Sequence, residues 1–218
     1  MMNRLISVTL YTATGLITTE LIWKLWKNYL REKILSREDE DKDKDEDENN
    51  KLISEVFFFA EDSMGCRAHA SRKRPCGSRC PINCINRIIH YMDSSTKTLD
   101  VCMYIVTCQE IINAISRAHK RKVNVRVIAD ASMSENSACG DQLTRLRRTG
   151  IKVRIQRSKA SLMHHKFTVS DKQTLIYGST NWTMQAFFGN YDGIIVTNQK
   201  QLVVPFNDEF DRIWERLK

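Results

Sequence analysis

The sequence predicts an α/β sandwich, a mixed, mostly parallel sheet flanked by helices, with a small zinc-finger insertion and an N-terminal membrane anchor helix. Three observations carry that expectation. From Val56 onward, apolar runs of strand length alternate with segments of helical spacing, the pattern of βαβ units. Four of the seven cysteines crowd into residues 66–84 with a histidine among them. The first 23 residues hold an almost uncharged stretch of about nineteen, just long enough to cross a bilayer.

In chain order, Leu5 to Thr19 carries no charge, and Leu21-Ile22-Trp23 extends it past Glu20. An acid at mid-bilayer costs roughly 2.5–3.5 kcal/mol on insertion scales, but Glu20 lies near the end and reaches the interface. Trp23 and Trp26 suit an interfacial belt, and the following Lys24, Lys27, Arg31 and Lys33 put the body on the cytosolic side. A cleaved signal fits less well, since no A-x-A-like site follows, while a peripheral amphipathic helix is the alternative to a span. Residues 1–35 are therefore the anchor and its basic flank. Residues 36–51 are almost wholly Asp, Glu and Lys, cannot bury enough surface to fold, and form a linker. The body is residues 52–218.

Val56-Phe57-Phe58-Phe59 reads as a buried strand. Next comes Cys66-x2-His69-x6-Cys76-x3-Cys80, two pairs of soft ligands in a loop with Gly65, Pro75 and Gly77. Such a set suits a tetrahedral structural zinc, all four positions filled by protein. Cys84 is an alternative to His69 or Cys80, or faces the core from a helix opening at Pro81. Ile82, Ile85, Ile88, Ile89 and Met92 keep helical spacing. A buried strand at 99–105 follows, and Thr107-x-x-Glu110 reads as a capping box opening a helix. Val123, Val125 and Val127 mark a strand running to Asp130, then a helix over 140–149 ends at Gly150. Ile151 to Ile155 is a further strand. His90 and His119 read as ordinary helix residues.

The chemistry gathers further on. His164-His165-Lys166-Phe167-Thr168-Val169-Ser170-Asp171 and Gly178-Ser179-Thr180-Asn181 form the pattern H-x-K-x4-D, then G-S-x-N. On a strand alternate side chains share a face, so His164, Lys166 and Thr168 point one way and His165 the other. A turn at 170–173 and a strand at 174–177 return Ser179 and Asn181 to the histidine. An imidazole, an ammonium, a hydroxyl and a carboxamide in one pocket suit a phosphate group. Clustered carboxylates, which a two-metal site wants, do not occur near the motif, so a metal-dependent mechanism is disfavoured. A helix over 182–188, a strand at 194–196 and a helix from about Gln201 complete the body.

This spacing resembles the single-motif branch of the phospholipase D superfamily. Leu162 to Phe167, Gly178 to Thr183 and the closing Glu209-Phe210-Asp211-Arg212-Ile213-Trp214 are similar to the Zucchini, or mitochondrial cardiolipin hydrolase, family within it. The resemblance runs from about Val56 to the end. It implies a phospholipase D-like fold, a zinc finger near 66–80, the outer mitochondrial membrane, and a homodimer with one composite site. His164 of one subunit would attack phosphorus to give a phosphohistidine, and the second copy would protonate the leaving oxygen. Lys166 and Asn181 would hold the non-bridging oxygens, with Ser179 a further donor. Asp192, where relatives tend to carry Glu, would orient the imidazole. Asp171 belongs to the catalytic motif but lies in the turn, so a structural role is expected for it.

Charge speaks to the substrate. The first 50 residues hold 8 basic and 11 acidic residues, so the remaining 168 carry 26 against 15, a net +11. Such a body prefers polyanions. Arg145, Arg147, Arg148, Lys152, Arg154, Arg157 and Lys159 lead toward the motif and could track a nucleic acid backbone. The favoured expectation is a single-strand endoribonuclease leaving 5′-phosphates, which the resemblance ties to germline small RNAs that silence transposons. Cardiolipin hydrolysis to phosphatidic acid is the alternative, and would want an exposed apolar rim, for which Phe187-Phe188 is the nearby candidate. A non-catalytic mitochondrial scaffold is the third.

Overall fold

The computed structural model describes residues 23–31, 33, 51–72, 74–132, 137–158 and 160–217. The chain divides into two compact units, Met1–Lys51 and Leu52–Lys218. In the first, residues 23–31 and 33 are helical, with the Trp23 and Trp26 rings 5.4 Å apart. No helix among the described residues is long and apolar enough to cross a membrane. Residues 5–22 of the expected span and 36–50 of the expected linker lie outside the described residues.

The second unit runs β1 (Ser54–Phe59), a 3-10 turn (Glu61–Cys66), α1 (Arg67–Arg72), α2 (Pro81–Asp93), β2 (Thr98–Met103), α3 (Gln109–Lys120) and β3 (Asn124–Asp130). It continues with α4 (Ser137–Arg148), β4 (Lys152–Gln156), β5 (Lys166–Ser170), β6 (Thr174–Gly178), α5 (Met184–Gly189), β7 (Asp192–Thr197) and α6 (Lys200–Arg216). One seven-stranded sheet has the order β1-β7-β6-β5-β2-β3-β4. On one face, side chains of α2, α3, α4 and α5 pack against Leu99, Val101, Val127, Ile176 and Val196. On the other, Val203, Phe210, Ile213 and Trp214 of α6 cover Cys102, Ile128, Phe167, Val169 and Leu175. β2 is buried along almost its whole length, as a central strand covered on both faces must be.

The sheet is mixed but not mostly parallel. Only β2–β3 and β3–β4 run parallel; β2–β5, β5–β6, β6–β7 and β7–β1 are antiparallel. Parallel neighbours need a crossover of a dozen residues or more, usually a helix. The first half of the body supplies α3 and α4 for that purpose. β5 and β6 are joined by a tight turn instead, and β7 and β1 continue the antiparallel order to the edge.

Two local expectations also give way. Helix α3 starts at Gln109 with Cys108 as its N-cap and no side-chain cap, so Thr107 closes no capping box. The Thr107 and Cys108 N–H groups both donate to the Trp182 carbonyl, 2.8 and 2.9 Å away, which holds Thr107 outside the helix. Strand β1 is half exposed, because nothing among the described residues of this unit covers the face that carries Val56 and Phe58.

Candidate active site

β5 is antiparallel to β2 with Met103 opposite Lys166, so the start of β5 meets the C-terminal ends of β2, β3 and β4. Ligands of open α/β sheets gather at such ends. His164 is exposed there, while Lys166 is buried to 8% exposure. The Lys166 Nζ lies 3.2 Å from each ring nitrogen of His164 and donates to the His164 carbonyl at 2.8 Å. His165 faces the opposite side, its Nε2 3.3 Å from Glu209 on α6, as strand alternation requires. Burial pulls the Lys166 ammonium below the ordinary lysine range, partly offset by the negative charge of Asp192.

Two residues that sequence reasoning did not single out complete the floor. The Tyr104 ring sits 4.6 Å from the His164 ring, and the Lys166 Nζ is 5.0 Å above it. Its position one residue past β2 was the available signal. Asp130, the last residue of β3, is buried and accepts the Met163 N–H at 2.7 Å, which anchors the backbone just ahead of His164.

From the other side, β6 ends in Gly178 and β7 begins at Asp192. A Cβ on Gly178 would lie 1.9 Å from the Gly193 carbonyl, so only glycine permits this close strand approach. The Ser179 hydroxyl donates to Asp192 at 2.5 Å and accepts the Gly193 N–H at 3.1 Å. The Asp192 carboxylate is thus engaged by Ser179 and, at 3.3 Å, by Asn190, and not by the imidazole as expected. Its short side chain is spent on the turn beside it. The Asn181 side chain makes no hydrogen bond, and its buried Oδ1 is left unsatisfied, as are four other buried side-chain oxygens among the described residues.

Asp171 belongs to the catalytic motif by spacing but stands away from His164, bonded to the backbone at 96–98. It sits at the far end of β5 from Lys166, in the left-handed turn with Lys172 (φ 52° and 57°). Its carboxylate accepts N–H bonds from Thr96, Lys97 and Thr98 at 2.7–2.8 Å and the Thr96 hydroxyl at 3.1 Å. Burial pushes its pKa up, but the backbone donors outweigh that and hold it below the usual carboxylate range. It clamps the β5–β6 hairpin to the start of β2.

Away from this centre, Cys66, His69, Cys76 and Cys80 bring their ligand atoms within 4.8 Å of one another. The Cys66 and Cys76 sulfurs are 3.5 Å apart, and the Cys80 sulfur is 3.9 Å from His69 Nδ1. A tetrahedron with metal–ligand bonds of about 2.0–2.3 Å has edges of roughly 3.3–3.8 Å, so the four ligand atoms stand close to, and slightly wider than, a metal-binding arrangement. Cys84 is buried in the core from α2, where desolvation pushes its thiol pKa up. Phe187 and Phe188 are also buried and form no rim.

A phosphate seat on such a sheet defines a class, that of the phospholipase D-like phosphodiester hydrolases. Residues 88–214 match the family model described as cardiolipin synthase, PLD-like domain, and the chain belongs to that PLD-like family. Proteins called mitochondrial cardiolipin hydrolase are similar to it. The one from Chlamydomonas reinhardtii is 32% identical, covering 76% of this chain and 75% of that protein. The one from Danio rerio is 36% identical, covering 75% and 73%. Among solved structures, the phospholipase D family member Nuc from Salmonella typhimurium shares the fold, with a TM-score of 0.62 and 21% identity over 77% of this chain and 97% of Nuc.

Proposed function

We propose that the chain is a metal-independent phosphodiesterase that works through a phosphohistidine on His164, with single-stranded RNA as its substrate. The observation that carries the chemistry is the buried Lys166 ammonium held against both nitrogens of an exposed imidazole. A poorly solvated cation is strongly drawn to a phosphate, and the uncommitted Asn181 amide adds neutral donors. His164 forms the N–P bond as the leaving oxygen departs. The acid that protonates this oxygen is His164 of the partner subunit in a homodimer; it then takes a proton from the water that hydrolyses the phosphohistidine. Cleavage on the 3′-oxygen side leaves a 5′-phosphate on the downstream fragment and needs no 2′-hydroxyl. Asp192 acts through Ser179 and through its charge on Lys166. A zinc held by Cys66, His69, Cys76 and Cys80 supplies structural cross-linking only.

The net +11 of residues 51–218 favours a polyanion that can be tracked over many phosphates, which RNA offers. A cardiolipin substrate has its own supporting observation. Val56, Phe58, Tyr177 and Ile195 stand exposed on one sheet face, and Phe58 pairs with Gly193, the neighbour of Asp192. The printed names of the relatives also support that substrate and a mitochondrial location. An outer-membrane anchor facing the cytosol belongs to the same proposal.

The test gives the protein in EDTA two substrates, 5′-labelled single-stranded RNA and cardiolipin vesicles, with His164→Ala as the blank. RNA cut to 5′-phosphate ends, lost in the variant, is the expected result. Phosphatidic acid without RNA cleavage transfers the activity to lipid, and neither product leaves a scaffold. Rapid loss of activity in EDTA that Mg²⁺ restores would sink the mechanism.

A further inference from the structure

The outer edge of β4 carries a cleft of about 410 Å³ that the chemistry above does not use. Four arginines from three elements line it: Arg147 from α4, Arg154 in β4, Arg157 just beyond it, and Arg216 at the end of α6. No acidic residue is among its walls.

Two of these arginines are fixed in place and two are not. Arg147 donates to the Val153 carbonyl at 3.3 Å, so it caps an acceptor on the open strand edge. Arg154 lies 4.2 Å over the Trp214 ring and donates to the Trp214 carbonyl, which pins it against α6. Arg157 and Arg216 are exposed and make no hydrogen bond or ion pair among the described residues. Unpaired guanidiniums held close to one another repel, and an anion between them relieves that repulsion with bidentate hydrogen bonds.

We propose that this cleft is a remote subsite for the backbone phosphates of the RNA strand whose scissile phosphate sits at His164. The inference rests on the ribonuclease reading and deepens it. β4 is parallel to β3 and β2, so Arg157 leaves the sheet at the same end as His164. Three strand spacings separate β4 from β5, about 14 Å at roughly 4.8 Å each. That is about four nucleotides of stacked single strand at about 3.4 Å per phosphate, and fewer if the strand is extended. The cleft walls offer four arginines, a glutamine and a serine beside the half-buried Val153, Ile155 and Leu217, and no aromatic residue, so charge and polar donors outnumber the apolar contacts an acyl chain would want.

The experiment measures binding of fluorescent single-stranded RNA by the full chain carrying His164→Ala. Arg157→Ala with Arg216→Ala is compared with Lys120→Ala and Lys200→Ala, an equal charge loss at the opposite end of the sheet. Arg157→Glu, in a loop with no capping duty, is the second variant. The cleft variants weaken binding about tenfold, and removing two phosphate contacts lowers the log–log salt slope by about 1.4. In the otherwise wild-type enzyme the cleft pair raises KM for long RNA, and the effect vanishes on RNAs too short to reach from His164 to β4. Equal shifts in the cleft and control pairs, or an unchanged slope, would overturn the subsite. Selective loss of cardiolipin hydrolysis assigns the cleft to lipid headgroups and overturns it as well. If the unmodified cleft binds no RNA at all, the ribonuclease reading falls first and takes the subsite with it.

Discussion

At Lys166 two opposing influences meet. Burial lowers its pKa, and the Asp192 carboxylate raises it, with burial the larger. The charged form is the one that holds a phosphate, so activity fades on the alkaline side at a lower pH than an ordinary lysine would allow. Asp192→Asn removes the raising influence. The alkaline limb of the kcat/KM profile then moves to lower pH, and a limb that stays put or moves up would show that Lys166 is not the group titrating. Lys166→Met leaves no cation at any pH and is expected to cost about 10²–10³-fold in kcat, the usual range for one preorganised donor.

At the scale of elements, the β5–β6 hairpin depends on Asp171. Its carboxylate satisfies three successive backbone N–H groups at the entry of β2, bonds to a charged acceptor worth about 1.5–3 kcal/mol in all. Asp171→Ala should lower unfolding free energy by about that amount at pH 7, read by urea titration. The folded-state pKa lies below the unfolded one, so the contribution is complete above the unfolded carboxylate value of about 3.9 and is lost as pH falls through the folded value. The gap between wild type and variant therefore closes in acid. A gap independent of pH would mean that the side chain acts by shape and not by charge. The loop holding the Cys66, His69, Cys76 and Cys80 cluster is a second dependent element: the expected content, by metal analysis, is one zinc per chain, and Cys76→Ser should reduce it and lower Tm without altering the His164 chemistry.

At the scale of the whole molecule, one chain carries one His-x-Lys pair, and the proposed displacement needs an acid as well as a nucleophile. Mixing equal amounts of wild type and His164→Ala, with subunit exchange, tests this. If both histidines serve one composite site, activity falls to about a quarter of that of the same total of wild type; independent sites leave about half. The half-value would remove the dimeric mechanism while leaving the family assignment untouched.

Much of the centre was legible because its parts are local. His164 and Lys166 share a face by the two-residue period of a strand, and a tight turn pairs β6 back onto β5, ahead of Ser179 and Asn181. The four ligands of the candidate zinc site lie within fifteen residues, close enough for one loop to gather them. Strand and helix alternation likewise marked the α/β class. Long-range pairing decided the rest. The antiparallel directions of β5, β6, β7 and β1 follow from which strands pair, of which only the β5–β6 turn is local, and periodicity does not report such pairing. Tyr104 meets His164, and Asp130 meets the Met163 N–H, only because the ends of β2 and β3 converge on β5, across gaps of 60 and 33 residues. Capping at Thr107 failed for the same reason, since Trp182, 75 residues away, competes for its backbone. Composition and spacing determined the chemistry this chain carries. Which groups surround that chemistry, and which sheet face and edge remain open to a substrate, only the packed sheet decided, because those contacts are won by burial between segments that are distant in the chain.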